Sequence, residues 1–314
     1  MGLEGMKTIS IVTPCFNEER NVELVYEGVK KVMASCPYYS YEHIFIDNAS
    51  TDNTFEVLKR LAGEDPKVKL ILNTRNFGQI RSSVHVLFEA TGDAVIHVVA
   101  DLQDPPELIA DFLQKWETGF KVVIGRKIGS EESRPMRAVR WSYYTLMEKI
   151  SSIPQISNFT GFGLYDREVI EAIKALDDPY PYFRGLISEF GYEKAEISYV
   201  QPARKRGSTM HTLYSLYDMA MLGITNYSKV PLRTATFLGF VGAVLSALLG
   251  IFYLGYKIIF WERFELGTAP LVIGVFFFAA VQLLFIGIIG EYVGAIHTQV
   301  LKRPKVVEKQ RINF

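Results

Sequence analysis

The first two hundred residues alternate short β-branched runs with amphipathic helical patterns, and two long uncharged stretches follow them. Together these predict an α/β fold: a mainly parallel sheet flanked by helices, then interfacial helices and two transmembrane helices. The expected strands are residues 9–13, 43–47, 68–72, 94–100 and 122–125. The expected helices between them are residues 22–34, 54–61, 80–90 and 107–117, where apolar residues recur at a spacing of three and four. Further helical spacing appears at Trp141, Tyr144 and Met147, and again at Leu213, Leu216, Tyr217, Ala220 and Ile224. The second of these lies just before the first uncharged stretch and suits the membrane interface.

Residues 234–256 and 266–290 contain no Asp, Glu, Lys or Arg. Crossing the hydrocarbon core takes about 20 helical residues, so each stretch is long enough. Lys229 and Arg233 precede the first stretch, and Lys302, Arg303, Lys305, Lys309 and Arg311 follow the second. The loop between them balances Lys257 and Arg263 against Glu262 and Glu265. By the positive-inside rule the N-terminal part and the tail both face the cytosol, and Trp261 sits at the opposite interface. The expected organisation is a catalytic domain over residues 1–207 and a juxtamembrane helix and linker over 208–233. Two spans within 234–296 and a basic tail over 297–314 complete it.

Composition narrows the class further. The 314 residues are 49% apolar and 22% charged, with 34 basic against 34 acidic side chains, and mean hydropathy is +0.12. A formal net charge of +0 gives no electrostatic footprint for nucleic acid, and no nucleic-acid partner is expected. Two cysteines, Cys15 and Cys36, supply neither a disulfide framework nor a zinc cluster. No apolar core follows a basic region at the N-terminus, so no secretory signal is expected. Neither G-x-G-x-x-G nor G-x-x-x-x-G-K-[ST] occurs, which argues against dinucleotide redox chemistry and P-loop hydrolysis.

Ligands of open α/β sheets bind beyond the carboxyl ends of the strands. Four polar clusters fall there: Pro14-Cys-Phe-Asn-Glu-Glu19, Asp47-Asn-Ala-Ser-Thr-Asp52, the Asn73 to Gln79 segment, and Asp101-Leu-Gln-Asp-Pro-Pro-Glu107. Within them Asp52 and Asp104 are expected as turn or cap residues. A carboxylate ending the second strand can accept from a base N–H or a ribose hydroxyl. One after the fourth can hold a divalent cation on a diphosphate. Transfer from a nucleotide diphosphate donor is the chemistry these positions suggest.

These segments resemble family-2 glycosyltransferases of the GT-A fold. More narrowly they are similar to polyprenyl-phosphate glycosyltransferases, the group of dolichol-phosphate mannose synthases and bactoprenol glucosyltransferases. Asn76-Phe-Gly78, Pro231-Leu-Arg233, Gly290-Glu-Tyr292 and Arg303-Pro304 extend the resemblance along nearly the whole chain. It implies that Pro14, Phe16, Asn17, Glu18, Asp47, Asn76, Gly78, Ala100 and Asp101 hold the nucleotide. It also implies that Asp101 is the catalytic carboxylate and, with Gln103, holds Mg²⁺ or Mn²⁺. Arg126, Arg204 and Arg206 become the phosphate contacts on donor or lipid, since Arg carries a fork of donors.

The implied partners are a nucleotide sugar (UDP-sugar, with glucose as the sugar), polyprenyl phosphate and the bilayer, with a homo-oligomer, a tetramer, as the assembly. The implied activity is inverting, metal-dependent sugar transfer on the cytosolic face of the inner membrane. Another acceptor or sugar, or a silent membrane scaffold of the same fold, are the alternatives.

Three departures bear on that choice. Val99 stands where relatives carry the first Asp of Asp-x-Asp. Gly161 and Gly163 stand where they carry the Asp and Arg of Gly-Asp-Phe-Arg, and Met210 replaces a Lys. Asp166 lies close by in sequence and is expected to cap the next helix. The missing base is tolerable for a phosphate acceptor. Its second pKa is about 6, so it is already mostly dianionic at neutral pH.

Overall fold

The computed structural model describes residues 5–129, 142, 145–154, 156–202, 213–260 and 268–314. The strands and helices of its first half, in chain order, are β1 (Thr8–Cys15), α1 (Val22–Ala34), β2 (Ser40–Asp47), α2 (Thr54–Glu64), β3 (Val68–Asn73), α3 (Gln79–Glu89) and β4 (Ala94–His97). A 3₁₀ turn (Pro106–Leu108) leads into α4 (Ile109–Glu117), followed by β5 (Val122–Gly129), β6 (Phe159–Asp166), α5 (Arg167–Ala175), α6 (Phe183–Glu189) and β7 (Lys194–Val200). The C-terminal part is α7 (Leu213–Tyr227), α8 (Val230–Ile259), α9 (Thr268–Val300) and β8 (Glu308–Ile312). Trp141, Tyr144, Arg204, Arg206, Met210, Trp261, Glu262, Arg263 and Glu265, singled out in the sequence, lie outside the described residues.

Eight strands form one sheet in the order β7-β5-β6-β4-β1-β2-β3-β8. The sheet is mixed. Pairings β1–β2, β1–β4, β2–β3 and β5–β7 are parallel, whereas β4–β6, β5–β6 and β3–β8 are antiparallel. The four strands that the alternation placed at the centre are the parallel ones. β4 is shorter than expected, ending at His97. Helix α1 turns Val22, Val25, Tyr26, Val29 and Met33 inward, the three-and-four spacing that makes one apolar stripe. With α2 and α4 it covers one face of the sheet. Helices α3, α5 and α6 cover the other, through Val84, Leu87, Ile170 and Leu186 among others.

The order of strands matters for the site. The chain leaves β3 and crosses back to β4 on the far side of β1, so the crevice between β1 and β4 is a topological switch point, where α/β sheets bind ligands. Because β6 runs against β4, its first residues also lie at this edge; His97 is paired with Gly163 and the strand start lies beyond it.

Helices α8 and α9 are long, apolar and exposed along most of their described length, with Phe237, Phe240, Ile251, Phe276 and Leu283 facing outward. Their apolar spans, Val230–Phe252 and Gly274–Val300, are long enough to cross a bilayer. Helix α7 lies beside α9, where the Tyr217 hydroxyl donates to Glu291 Oε1 at 2.7 Å. After α9 the chain returns to the sheet. Gln299 Nε2 donates to Asp178 Oδ1 at 2.8 Å, Thr74 N donates to the Val307 carbonyl at 2.9 Å, and β8 then pairs along β3. His85 Nε2 meets Glu308 Oε1 at 2.6 Å, and Arg311 bridges Glu308 and Glu89. The basic tail is therefore in part a sheet edge.

Candidate active site

The carboxyl ends of β1, β2, β3 and β4 bring the four polar clusters together. Cys15 is in register with Asp47 across β1 and β2, and Val98 N continues β4 by donating to the Val12 carbonyl at 3.0 Å. Three non-glycine residues in these loops take left-handed backbone angles: Asn17 (φ 57), Ala49 (φ 58) and Leu102 (φ 60). Such angles are uncommon outside glycine and cluster at binding loops.

The first two loops are stitched to each other. Asn17 N donates to Ser50 Oγ at 2.9 Å and Asn17 Oδ1 accepts from Thr51 N at 2.8 Å. Glu18 N donates to Thr54 Oγ1 at 2.8 Å, and Glu19 Oε2 accepts from Asn53 N at 3.1 Å. Asp52 Oδ1 accepts from Thr54 N at 3.0 Å, the turn role expected of it. Asn17, Glu18 and Glu19 thus preorganise the loops, with Pro14 and Phe16 half-buried beside them.

Asp47 is different. It is fully buried; Oδ1 accepts from the Ser50 N–H (3.0 Å) and hydroxyl (2.5 Å), while Oδ2 has no partner among the described residues. Burial raises its pKa, against the lowering effect of the Ser50 bonds. A buried acceptor without a donor is costly in the folded state. It leaves one carboxylate oxygen able to accept from a ligand N–H or O–H.

The third loop is anchored by an amide relay that the sequence did not flag. Asn48 Oδ1 accepts from Asn73 Nδ2 at 3.0 Å and from Phe77 N at 2.9 Å, while Asn48 Nδ2 donates to Asn76 Oδ1 at 2.8 Å. Asn76 Oδ1 also takes the Gly78 N–H at 2.8 Å, which sets the start of α3. Asn76 and Gly78 therefore hold the loop's shape.

After β4, Ala100 is buried and Asp101 follows it half-buried, its Oδ1 accepting from Gln103 N at 3.1 Å. Asp101 and Gln103 together present hard oxygen donors on one turn. Asp104 lies in the expected bend but caps no helix among the described residues. It is buried at 1% exposure, its Oδ1 accepts from the Tyr199 hydroxyl at 2.9 Å, and Oδ2 is unpartnered among the described residues. Burial, reinforced by the nearby Asp101, pushes its pKa up to about 7. The Leu-Gln turn is thereby pinned to β7.

Arg126, on β5, pairs with Glu196 Oε2 at 3.0 Å in a groove shared with Lys194 and Pro154. Asp166 does cap α5, accepting from Glu168 N at 2.9 Å, and it ends β6 at the opposite edge of the sheet. Cys15 and Cys36 are free; burial raises the Cys15 thiol pKa and leaves it inert.

A sheet with this switch point and loop-bound carboxylates at its carboxyl edge is an α/β architecture that binds its ligand there. Residues 10–174 match the model of glycosyl transferase family 2, and the chain belongs to that family. It is a glycosyltransferase. A prophage-derived bactoprenol glucosyl transferase of Shigella flexneri is 35% identical over 96% of this chain and 97% of its own length. A prophage bactoprenol glucosyl transferase homolog of Escherichia coli is 33% identical over 96% and 98%. Among solved structures, glucosyl-3-phosphoglycerate synthase from Mycobacterium tuberculosis, with Mn²⁺, UDP-glucose and phosphoglyceric acid, aligns with a TM-score of 0.46 at 20% identity. That alignment covers 70% of this chain and 78% of the other.

Proposed function

We propose that this glycosyltransferase moves glucose from UDP-glucose to a membrane polyprenyl phosphate, with inversion at the anomeric carbon. The observation that carries the reading is the juxtaposition, in one chain, of a nucleotide-type carboxyl edge and two apolar helices that return to the same sheet. The bactoprenol glucosyl transferase activity named for a relative aligned over 96% of the chain supports the acceptor and the sugar.

Asp47 Oδ2 accepts the uracil N–H, and the loops tied by Asn17 and Asn48 close around base and ribose. Asp101 and Gln103 fit a divalent cation, Mg²⁺ or Mn²⁺: both offer oxygen, and such ions need only one or two protein ligands when a diphosphate supplies the rest. The bound ion supplies charge neutralisation of the leaving diphosphate. The loss of an Asp at Val99 is compatible with that ligand count. An acceptor phosphate oxygen attacks C1 of the sugar as the C1–O bond to the diphosphate breaks. The acceptor is already ionised near pH 7, so Gly161 costs no base. Rate then rests on positioning and charge, with Arg126, Arg204 and Arg206 on phosphate oxygens.

Residues 1–207 form the catalytic unit, 208–233 the juxtamembrane element, 234–296 the spans and 297–314 the tail. The pairing of β8 with β3 supports an even number of crossings, with catalytic unit and tail on one side; the basic flanks of the spans support the cytosolic one. Purified full-length protein in lipid nanodiscs, given Mn²⁺, UDP-[¹⁴C]glucose and a polyprenyl phosphate, is expected to yield a radiolabelled lipid. Release of free glucose alone, or label on no lipid, overturns the acceptor.

A further inference from the structure

On the α3 side of the sheet a cavity of about 220 Å³ opens at the same edge as Asp101. Its walls are the first turns of α3 (Gln79, Ser83), the end of β4 (His97), the start of β6 (Thr160, Gly161) and Tyr182 before α6. That volume is below the roughly 300 Å³ at which pockets begin to hold a whole drug-sized ligand. It is room for one ring, not for a nucleotide.

Two features show that it is built to bind. His97 is 6% exposed, yet both of its ring nitrogens lack a partner among the described residues, and the buried Ser83 hydroxyl lacks one as well. Gly161, at φ +103, sets no side chain against the imidazole; an added Cβ would face His97 Nδ1 at 3.9 Å. A glycine is also the residue that adopts this backbone angle without strain.

We propose that this cavity receives the ring of the transferred hexose, with His97 and Ser83 bonding its hydroxyls. The assignment rests on the donor reading above and adds the residues that read the sugar. Position supports it, since His97 lies four residues before Asp101 and Gln79 directly follows the Asn76–Gly78 loop. The wall chemistry supports a neutral polyol over a phosphate. Burial holds the imidazole uncharged at neutral pH, with its pKa down to about 4. The one cation at the wall among the described residues, Arg184, donates to the Phe159 carbonyl at 3.2 Å and lies over the Tyr182 ring.

The test compares two ligands on the same full-length protein in nanodiscs with Mn²⁺, by calorimetry: UDP and UDP-glucose. In His97→Leu, UDP affinity should stay within about twofold while UDP-glucose affinity falls roughly fivefold to tenfold, the range expected for a lost hydrogen bond. Ser83→Ala should lower UDP-glucose affinity by about threefold. Thermal stability of His97→Leu should be unchanged or higher, because the substitution removes two unpaired buried nitrogens. Should His97→Leu fail to fold, the milder Ser83→Ala still decides. Equal loss for both ligands, or loss for neither, overturns the sugar assignment. A wild-type protein that binds neither UDP nor UDP-glucose instead removes the donor reading, and this inference with it.

Discussion

The two edges of the central sheet treat their buried polar side chains in opposite ways. At the amino edge Glu42 and Ser10 are fully partnered. Glu42, 6% exposed, takes the Ser10 hydroxyl (2.5 Å), the Thr91 N–H (2.9 Å) and hydroxyl (3.0 Å), and Lys69 at 2.6 Å. The Gly92 N–H goes to Ser10 Oγ at 2.8 Å, and Arg167 Nε goes to the Gly92 carbonyl at 2.9 Å. Gly92 fits there because a Cβ would meet the Thr8 carbonyl at 2.5 Å. At the carboxyl edge, Asp47 Oδ2, Asp104 Oδ2, Ser83 Oγ and both nitrogens of His97 are buried without a partner among the described residues. At one edge the protein partners its own buried groups; at the other it leaves several of them without a partner among the described residues. Stability and function can be told apart by which edge a substitution touches.

The largest expected effect tests the open edge at its centre. Asp101→Ala should lower transfer about a thousandfold or more, the scale seen when a preorganised charge stabiliser is lost, with the melting temperature unchanged. Excess EDTA should reproduce that loss in the wild type; full activity in EDTA would detach Asp101 from any metal. Asp47→Ala comes next. Losing a hydrogen bond to a charged group costs about 1.5–3 kcal/mol, so UDP and UDP-glucose should both bind roughly tenfold to a hundredfold more weakly by calorimetry. Unchanged UDP affinity would move the base elsewhere.

The closed edge should respond the other way. Glu42→Gln leaves Lys69 without its counter-charge and should cost about 1–3 kcal/mol of stability. The transfer rate of the protein that remains folded should hold. A fall in rate without a fall in stability would merge the two edges into one functional unit.

The smallest effect is a pH slope. Burial lowers the His43 pKa from 6.5 to about 3, and its Nε2 lies 3.0 Å from Thr13 Oγ1. Between those values the unfolded chain binds a proton that the folded chain refuses, so His43 favours folding above pH 6.5 and loses that effect as pH falls toward 3. His43→Gln should flatten the decline of melting temperature on acidification from pH 6.5. An identical decline in the variant would place the acid-sensitive group elsewhere.

Much of this arrangement was legible beforehand. Strands β1 to β5 and helices α1 to α4 announce themselves through β-branched runs and three-and-four spacing, and Asp47 and Asp101 stand out as polar residues ending apolar strands. Strand β8 does not. Its sequence, Glu-Lys-Gln-Arg-Ile, is that of a charged edge strand, and only pairing with β3 makes it one. Strand β6, Phe-Thr-Gly-Phe-Gly-Leu-Tyr-Asp, carries two glycines that blur alternation. His97 reads as one more strand residue, because the glycine that lies against its unpartnered, buried nitrogens, Gly161, is far along the chain. Asp104 reads as a turn residue, but its burial is not legible, because the partner Tyr199 lies 95 residues away.

The return of the chain to β3 has a mechanical consequence. A domain hung on its membrane helices by one linker is free to swivel about that linker, and its active edge can point anywhere. Here β7, the last strand before the long helices, is one border of the sheet, and β8, the strand after them, is the other. A second mooring at β8 restrains the swivel. The strand it holds is β3, whose next residues are the loop of Asn76 and Gly78, so the helices and the mouth of the site turn as one body.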